Sequence, residues 1–352
     1  MIQKYGKSMA DILAIKQNFF KNNDNLLLNN NDIAKLYSER PRRLHCKLCN
    51  MPLPSEIYFT SHNLEYYLCN CCGHINGKYI DDHIFTDAMY IGAKYGEQYK
   101  EPNINEYIKR VDSIYIPKVH FLTNTFDSLN IEYKSYKYLD VGAGSGYMVS
   151  ALKKNDLLVN GIEVSDSQVI YGNKMLEFIT GEKDKNRLLK TIEPENILNI
   201  ISTADCDVVS FIGVLEHIYN LNEILNAIKI NKNIKYLFFC VPMFSLSCII
   251  EIAFPNVFNR HLGSGHTHLF SRESLEWMYS HYNFVKIAAW DFGTDIMDLY
   301  RSLVVTLTHN NANKELIERI HNLFQENTDT LQMVIDKAHF CSETHIIVQV
   351  NH

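Results

Sequence analysis

The apolar positions of the chain change period several times, and each change marks an element. From Tyr136 to Val141 they form a short run, rich in aromatic and branched residues, that reads as a buried strand. After a glycine-rich stretch, Met148, Val149, Ala151 and Leu152 recur at helical spacing. The alternation then repeats. Strands are predicted at 158–164, 206–212, 235–241 and 284–290 with helical patterns between them, and one more strand is weakly marked within 186–200. Such an order predicts an α/β fold: a doubly wound, parallel sheet with right-handed crossovers. Two long helical stretches follow at 296–309 and 314–338, and Thr344 to Val350 alternates as a closing strand. Residues 291–343 therefore read as a helical insertion before the last strand.

Upstream of residue 136 the pattern is weaker. Residues 1–40 read as a helical, asparagine-rich lead-in. Met9, Ile12, Leu13 and Ile15 suggest one helix, Asn22 to Asn31 a polar break, and Ile33, Leu36 and Tyr37 a second helix. Residues 41–80 carry cysteines, and Ile57 to Phe59 and Tyr66 to Leu68 alternate there like short strands. Residues 81–135 show helical spacing at Ile108, Val111, Ile114, Val119 and Leu122, interrupted by Pro117. This stretch holds Tyr90, Tyr95, Tyr99, Tyr107 and Tyr115, and reads as a helical bridge covering the site. Residues 136–352 form the main domain.

A chain of 352 residues is long for one domain, which supports this division. Hydrophobic content of 46% and charged content of 21% are those of an ordinary globular protein. The net charge of −6 argues against a dedicated nucleic-acid binder. No apolar run reaches membrane-spanning length, and Met1 to Lys7 lead into no signal-peptide core. A cytoplasmic location is expected, with the nine cysteines reduced.

The chemistry centres on Tyr138-Leu139-Asp140-Val141-Gly142-Ala143-Gly144-Ser145-Gly146. Glycines between a strand and a helix let the backbone turn and let a ligand touch the main chain. The helix start offers N–H groups to an anion. The spacing here is G-x-G-x-G, not the G-x-G-x-x-G of a pyrophosphate loop. Glu163 ends the next predicted strand, 21 residues after Gly142, where an acid can take two ribose hydroxyls. A ribose acid without a pyrophosphate loop favours a nucleoside ligand, and S-adenosylmethionine fits. Cys46, Cys49, Cys69 and Cys72 form two C-x2-C pairs with 19 residues between them, the spacing of a structural zinc ribbon. Cys71 and His74 are the alternative ligands.

Leu139 to Gly146 resembles the first motif of class I S-adenosylmethionine-dependent methyltransferases, and Gly161-Ile162-Glu163-Val164-Ser165 their second. Asp207 to Ile218 resembles the segment that closes over the methionine part of the cofactor. The resemblance implies a Rossmann-like sheet whose last strand inserts antiparallel between the fifth and sixth. It implies cofactor contacts at Asp140, Gly142, Ala143, Gly144, Gly146, Glu163, Val164, Gly213, Val214 and Leu215. An amino-terminal cysteine cluster is similar to that of some bacterial sugar methyltransferases. Gly265-His266-Thr267-His268-Leu269-Phe270-Ser271 also resembles their histidine pair before a Phe-Ser helix start, with Ser271 as the cap. A sugar acceptor, nucleotide-linked and belonging to polysaccharide biosynthesis, is implied.

Removing a proton from such an acceptor calls for a base with a pKa near neutrality. His268 is the first candidate, then His266 and His217, with His261 also considered. Asp295, Asp298 and Arg301 are expected near the substrate mouth. The competing readings are an RNA or protein methyltransferase that uses the ribbon for recognition, and a non-catalytic partner subunit. Arg42, Arg43 and Lys47 flank the cysteines, but no wider basic stripe supports RNA. A homodimer is left open.

Overall fold

The structure, a computed structural model, describes residues 1–8, 22–90, 100–101, 103–181, 188–262 and 265–352. The helix expected around Met9 to Ile15, and Tyr95 and Tyr99, lie outside these residues, as does the side chain of Tyr90. Strand β1 (Ile2–Tyr5) and helix α1 (Asn23–Ser38) come first. The cysteine-bearing unit holds β2 (Phe59–Ser61), β3 (Leu64–Leu68) and β4 (Ile75–Gly77). Helices α2 (His83–Tyr90), α3 (Ile104–Arg110) and α4 (Ile116–Ser128) follow. The alternating part starts with β5 (Lys137–Val141), α5 (Tyr147–Lys154), β6 (Leu158–Glu163), α6 (Asp166–Thr180) and β7 (Leu189–Thr191). It continues with α7 (Ile197–Thr203), β8 (Val208–Ile212), α8 (Leu221–Ile230), β9 (Tyr236–Pro242) and α9 (Leu246–Ala253). Then come β10 (His268–Leu269), α10 (Arg272–Tyr282) and β11 (Phe284–Phe292). Helices α11 (Asp295–His309) and α12 (Lys314–Lys337) form the insertion before β12 (Glu343–Val350).

The main sheet has the order β1-β11-β12-β9-β8-β5-β6-β7. Strand β12 runs antiparallel between β9 and β11, and the other neighbours in the sheet are parallel. Apolar side chains cover both faces. Val119, Val149 and Leu176, from α4, α5 and α6, pack on one face. Ile201, Leu225 and Met278, from α7, α8 and α10, pack on the other together with Cys46, Cys69 and Cys72. A strand buried on both faces needs a continuous apolar run, and β9 (Tyr-Leu-Phe-Phe-Cys-Val-Pro) is buried throughout.

The lead-in departs from the helical expectation at its start. Ile2 to Tyr5 pair in parallel with Ala288 to Asp291 and so extend the sheet edge. The Trp290 indole donates to the Gly6 carbonyl at 2.9 Å, and Lys4 sits 3.5 Å from the centre of its ring. The polar break expected at Asn22 to Asn31 is the first half of α1. Its asparagines are held from outside: Asn23 and the buried Asn30 donate to the carbonyls of Asn256 and Asn259. Pro117 does not interrupt the bridge either. A π-helical turn, Val111–Tyr115, joins α3 to α4 and leaves Pro117 in the first turn of α4, where its missing N–H costs little.

The second sheet has the order β10-β4-β3-β2. Its β10 comes from the main domain: His268 pairs with Asn76 and Leu269 with Ile75. Gly77 N–H donates to the Thr267 carbonyl at 2.8 Å. The cysteine unit is therefore sewn to the segment that follows β9.

Candidate active site

A cavity of about 400 Å³ opens at the carboxyl ends of β5, β6 and β8. Its floor is the loop Gly142 to Ser145, with Asp140 and Val141 beneath. Gly144 has φ +53° and no atom within 4 Å of where a Cβ would stand, so the main chain there is open to a ligand. Glu163 and Val164 form one wall, Gly213 and Val214 the facing one. Ile192, Pro194 and Ile197, just past β7, add an apolar side. Two expected contacts are absent from the lining. Gly146 instead starts α5 at φ +76°, and a Cβ there would meet Leu189 at 2.9 Å. Leu215 is fully buried in the core behind the wall.

The Glu163 carboxylate accepts three backbone N–H groups: Gly144 at 2.8 Å, Val164 at 2.9 Å and Ser165 at 3.0 Å. Burial pushes its pKa up and these donors pull it back, with burial the larger effect. The acid is thus fixed in orientation against the glycine loop. Asp140 is buried, and burial lifts it to about 7 although Ser210 Oγ donates to it at 2.6 Å.

The far end of the cavity is polar. Glu216, His217 and His266 all line it. Glu216 follows β8, and burial raises its carboxyl to about 8. His217 Nδ1 faces the Gly265 carbonyl at 3.2 Å, which assigns the proton to Nδ1 and the lone pair to Nε2. Nε2 lies 3.9 Å from Glu216 Oε1. The His217 and His266 rings stack, centroids 5.3 Å apart and planes 16° from parallel. Burial lowers His217 to about 4 and His266 well below its ordinary value, so both are neutral at pH 7.

His268, the first candidate for the base, lies elsewhere. Pairing with β4 draws it into the second sheet, fully buried, with Nδ1 2.8 Å from His74 Nε2. It does not line the cavity. Asp295, Asp298 and Arg301 are also off the lining. Ser247 donates its backbone N–H to Asp295 and its hydroxyl to Asp298, and Arg260 donates to Asp298 at 2.9 Å, in a buried network that ties α11 to α9. The π-helical turn places Arg110, which sequence reasoning missed, and Tyr115, one of the tyrosines of the expected bridge. Arg110 and Tyr115 bracket that turn and line the cavity, as do Thr86 and Asp87 of α2. The Arg110 guanidinium lies 4.7 Å over Tyr147 and bonds Glu101 at 2.8 Å. A cluster of tyrosines within a helical pattern was the only signal for this roof.

A family model described as a methyltransferase domain matches residues 107–289, more than half of the chain. The chain belongs to that family. It is a class I methyltransferase that depends on S-adenosylmethionine. No curated protein sequence matches it. Solved structures resemble it distantly. A magnesium protoporphyrin IX methyltransferase from Synechocystis, with bound S-adenosylhomocysteine, is 9% identical at a TM-score of 0.49; the match covers 77% of this chain and 100% of that one. A methyltransferase from Archaeoglobus fulgidus is 15% identical at a TM-score of 0.37, covering 65% and 92%. Likenesses this remote say nothing of the acceptor.

The methyltransferase also brings its four cysteines together. Cys46 and Cys72 sulfurs lie 3.6 Å apart, Cys49 and Cys69 sulfurs 3.4 Å, and all four within 4.8 Å of one another. A tetrahedral zinc with bonds of about 2.3 Å holds sulfurs roughly 3.8 Å apart, so the set fits that ion. Cys71 is exposed, while His74 is taken up by His268, and neither joins the set.

Proposed function

We propose that this methyltransferase transfers the methyl group of S-adenosylmethionine to a hydroxyl of a small acceptor, a nucleotide-linked sugar used in polysaccharide synthesis. One observation carries the hydroxyl reading. A single cavity has a glycine loop with an anchored ribose acid at one end and a Glu216–His217–His266 cluster at the other. Bound S-adenosylmethionine supplies an electrophilic methyl on its sulfonium. Glu163 would hold the ribose hydroxyls, and the open backbone at Gly144 the methionine end. The cluster would orient the acceptor oxygen and ease the loss of its proton, so that oxygen and sulfur lie in line across the methyl carbon. The sugar is supported by the resemblance of the 265–271 segment alone.

Of the three basic residues flanking the cysteines, Arg42 is exposed and the other two are taken up within the fold. Arg43 and Lys47 both pair with the buried Asp81, whose other partner is Thr267, and are not offered to phosphates. No helix among the described residues is long and apolar enough to cross a membrane. We place the enzyme in the cytoplasm, where such acceptors are made, with a structural zinc in the cysteine set.

The test is mass-spectrometric detection of methyl transfer from labelled S-adenosylmethionine to a panel of nucleotide sugars. His266→Ala should lower turnover roughly 10²–10⁴-fold with little change in S-adenosylhomocysteine affinity. Methylation of RNA or protein in place of every sugar would overturn the acceptor assignment.

A further inference from the structure

The cluster at the far end of the cavity carries more than a base requires. Glu216 is only 3% exposed, yet it lines the cavity, and its Oε2 has no hydrogen-bond partner among the described residues. A buried carboxyl oxygen without a hydrogen-bond partner is rare, because a lost hydration shell must be replaced by something. Two imidazoles stand beside it. One ligand atom from each of Glu216, His217 and His266 lies within 4.8 Å of the other two. Three ligand atoms on one ion at about 2.0–2.2 Å stand roughly 3.0–3.8 Å apart, so the widest pair would draw in by up to about 1 Å as the ion binds.

We infer that Glu216, His217 and His266 form a second metal site, which takes a first-row divalent cation and presents its open positions to the acceptor. Two neutral imidazoles and one carboxylate suit such an ion and not calcium, which seeks six or more oxygens. Three protein ligands leave positions free on the cavity side. An acceptor with two adjacent oxygens, a vicinal diol or a hydroxyl beside a carboxylate, would fill them and be held with one oxygen toward the methyl group. In the transfer, the oxygen–carbon bond forms as the carbon–sulfur bond breaks. The sulfur keeps the electron pair, and the hydroxyl proton leaves to solvent at the cavity mouth. A third group, Cys240, Glu343 and His345, is also close enough to hold an ion. There, however, Glu343 and His345 satisfy each other at 2.8 Å and neither lines the cavity. The inference rests on the methyl-transfer reading and refines it.

The experiment is Mn²⁺ titration of the purified chain, followed by the paramagnetic signal of free Mn²⁺, with S-adenosylhomocysteine calorimetry on the same samples. Manganese favours oxygen and nitrogen ligands and does not compete for the four cysteines. One Mn²⁺ should bind per chain. Loss of a supporting partner behind a ligand already costs about 10–100-fold in metal affinity, so Glu216→Gln and His266→Ala should each cost at least about tenfold. Both variants should keep S-adenosylhomocysteine affinity within a few-fold, which also reports that they are folded. Wild-type protein that binds the homocysteine ligand but no Mn²⁺, or variants that bind Mn²⁺ as well as the parent, would overturn the metal site. Failure to bind the homocysteine ligand would instead overturn the methyl-transfer reading.

Discussion

Single side chains set the chemistry of the glycine-loop end of the cavity. Glu163 accepts three N–H groups and lines the cavity. Glu163→Ala removes charge-assisted contacts to the ribose and unties the Gly144 amide. It should weaken S-adenosylhomocysteine binding by about 1.5–3 kcal/mol in calorimetry; unchanged affinity would mean the ribose lies elsewhere. Asp140 makes a pH-dependent contribution. Its carboxyl is raised from the ordinary 3.8 to about 7, so the folded state favours the protonated form. The resulting stability is complete below the ordinary pKa and is lost as pH rises through about 7. Asp140→Asn removes that loss. Relative to wild type, the variant should gain thermal stability between about pH 5 and about pH 8, and a constant difference in Tm across that range would refute the assignment. The place of Asp140 and Glu163 on the cavity wall was legible in the sequence, because both sit at strand ends. His268 was not legible, because its placement depends on a partner strand far away in the chain.

Elements divide in the same way. Strands β5, β6, β8, β9 and β11 stand close to where the apolar runs predict, and β8 and β9, covered on both faces, carry the continuous hydrophobic signature. The Ser271 cap was equally plain, and the structure shows a full capping box with Ser274. The short strands left little trace. The four residues of β1 are mixed in polarity, and their strand state comes from pairing with β11. The two residues of β10 become a strand only because β4 lies alongside. The π-helical turn was hidden as well: Pro117 reads as a break unless the preceding turn widens to receive it. That turn aims Arg110 and Tyr115 at the cavity, so an element that local rules treat as a fault builds the roof of the site.

At the scale of the molecule, the cysteine set belongs to the main core. Cys46, Cys69 and Cys72 pack in one cluster with Phe211, Leu237 and Ile346 of the large sheet. Through β4 and β10 they connect to Thr267 and on to His266. Elemental analysis should find one zinc per chain in the cysteine set. Stripping it with a chelator and then restoring Mn²⁺ alone should raise amide exchange at 75–77 and also at 265–270, and methyl transfer should fall. Exchange confined to 41–80 with full activity would show that the two sites are uncoupled.

The same stitching sets an order of events during synthesis. His74 and His268 are 194 residues apart, so the cysteines leave the ribosome long before the strand that completes their sheet. Until β10 arrives, β4 presents an open hydrogen-bonding edge, and closing so long a loop is entropically costly and slow. A nascent chain that has already gathered its four thiolates around an ion holds that edge in shape while it waits. Metal supply in the cell would then limit the yield of native enzyme, through the fraction of chains whose last seam closes before the exposed edge pairs with a neighbour.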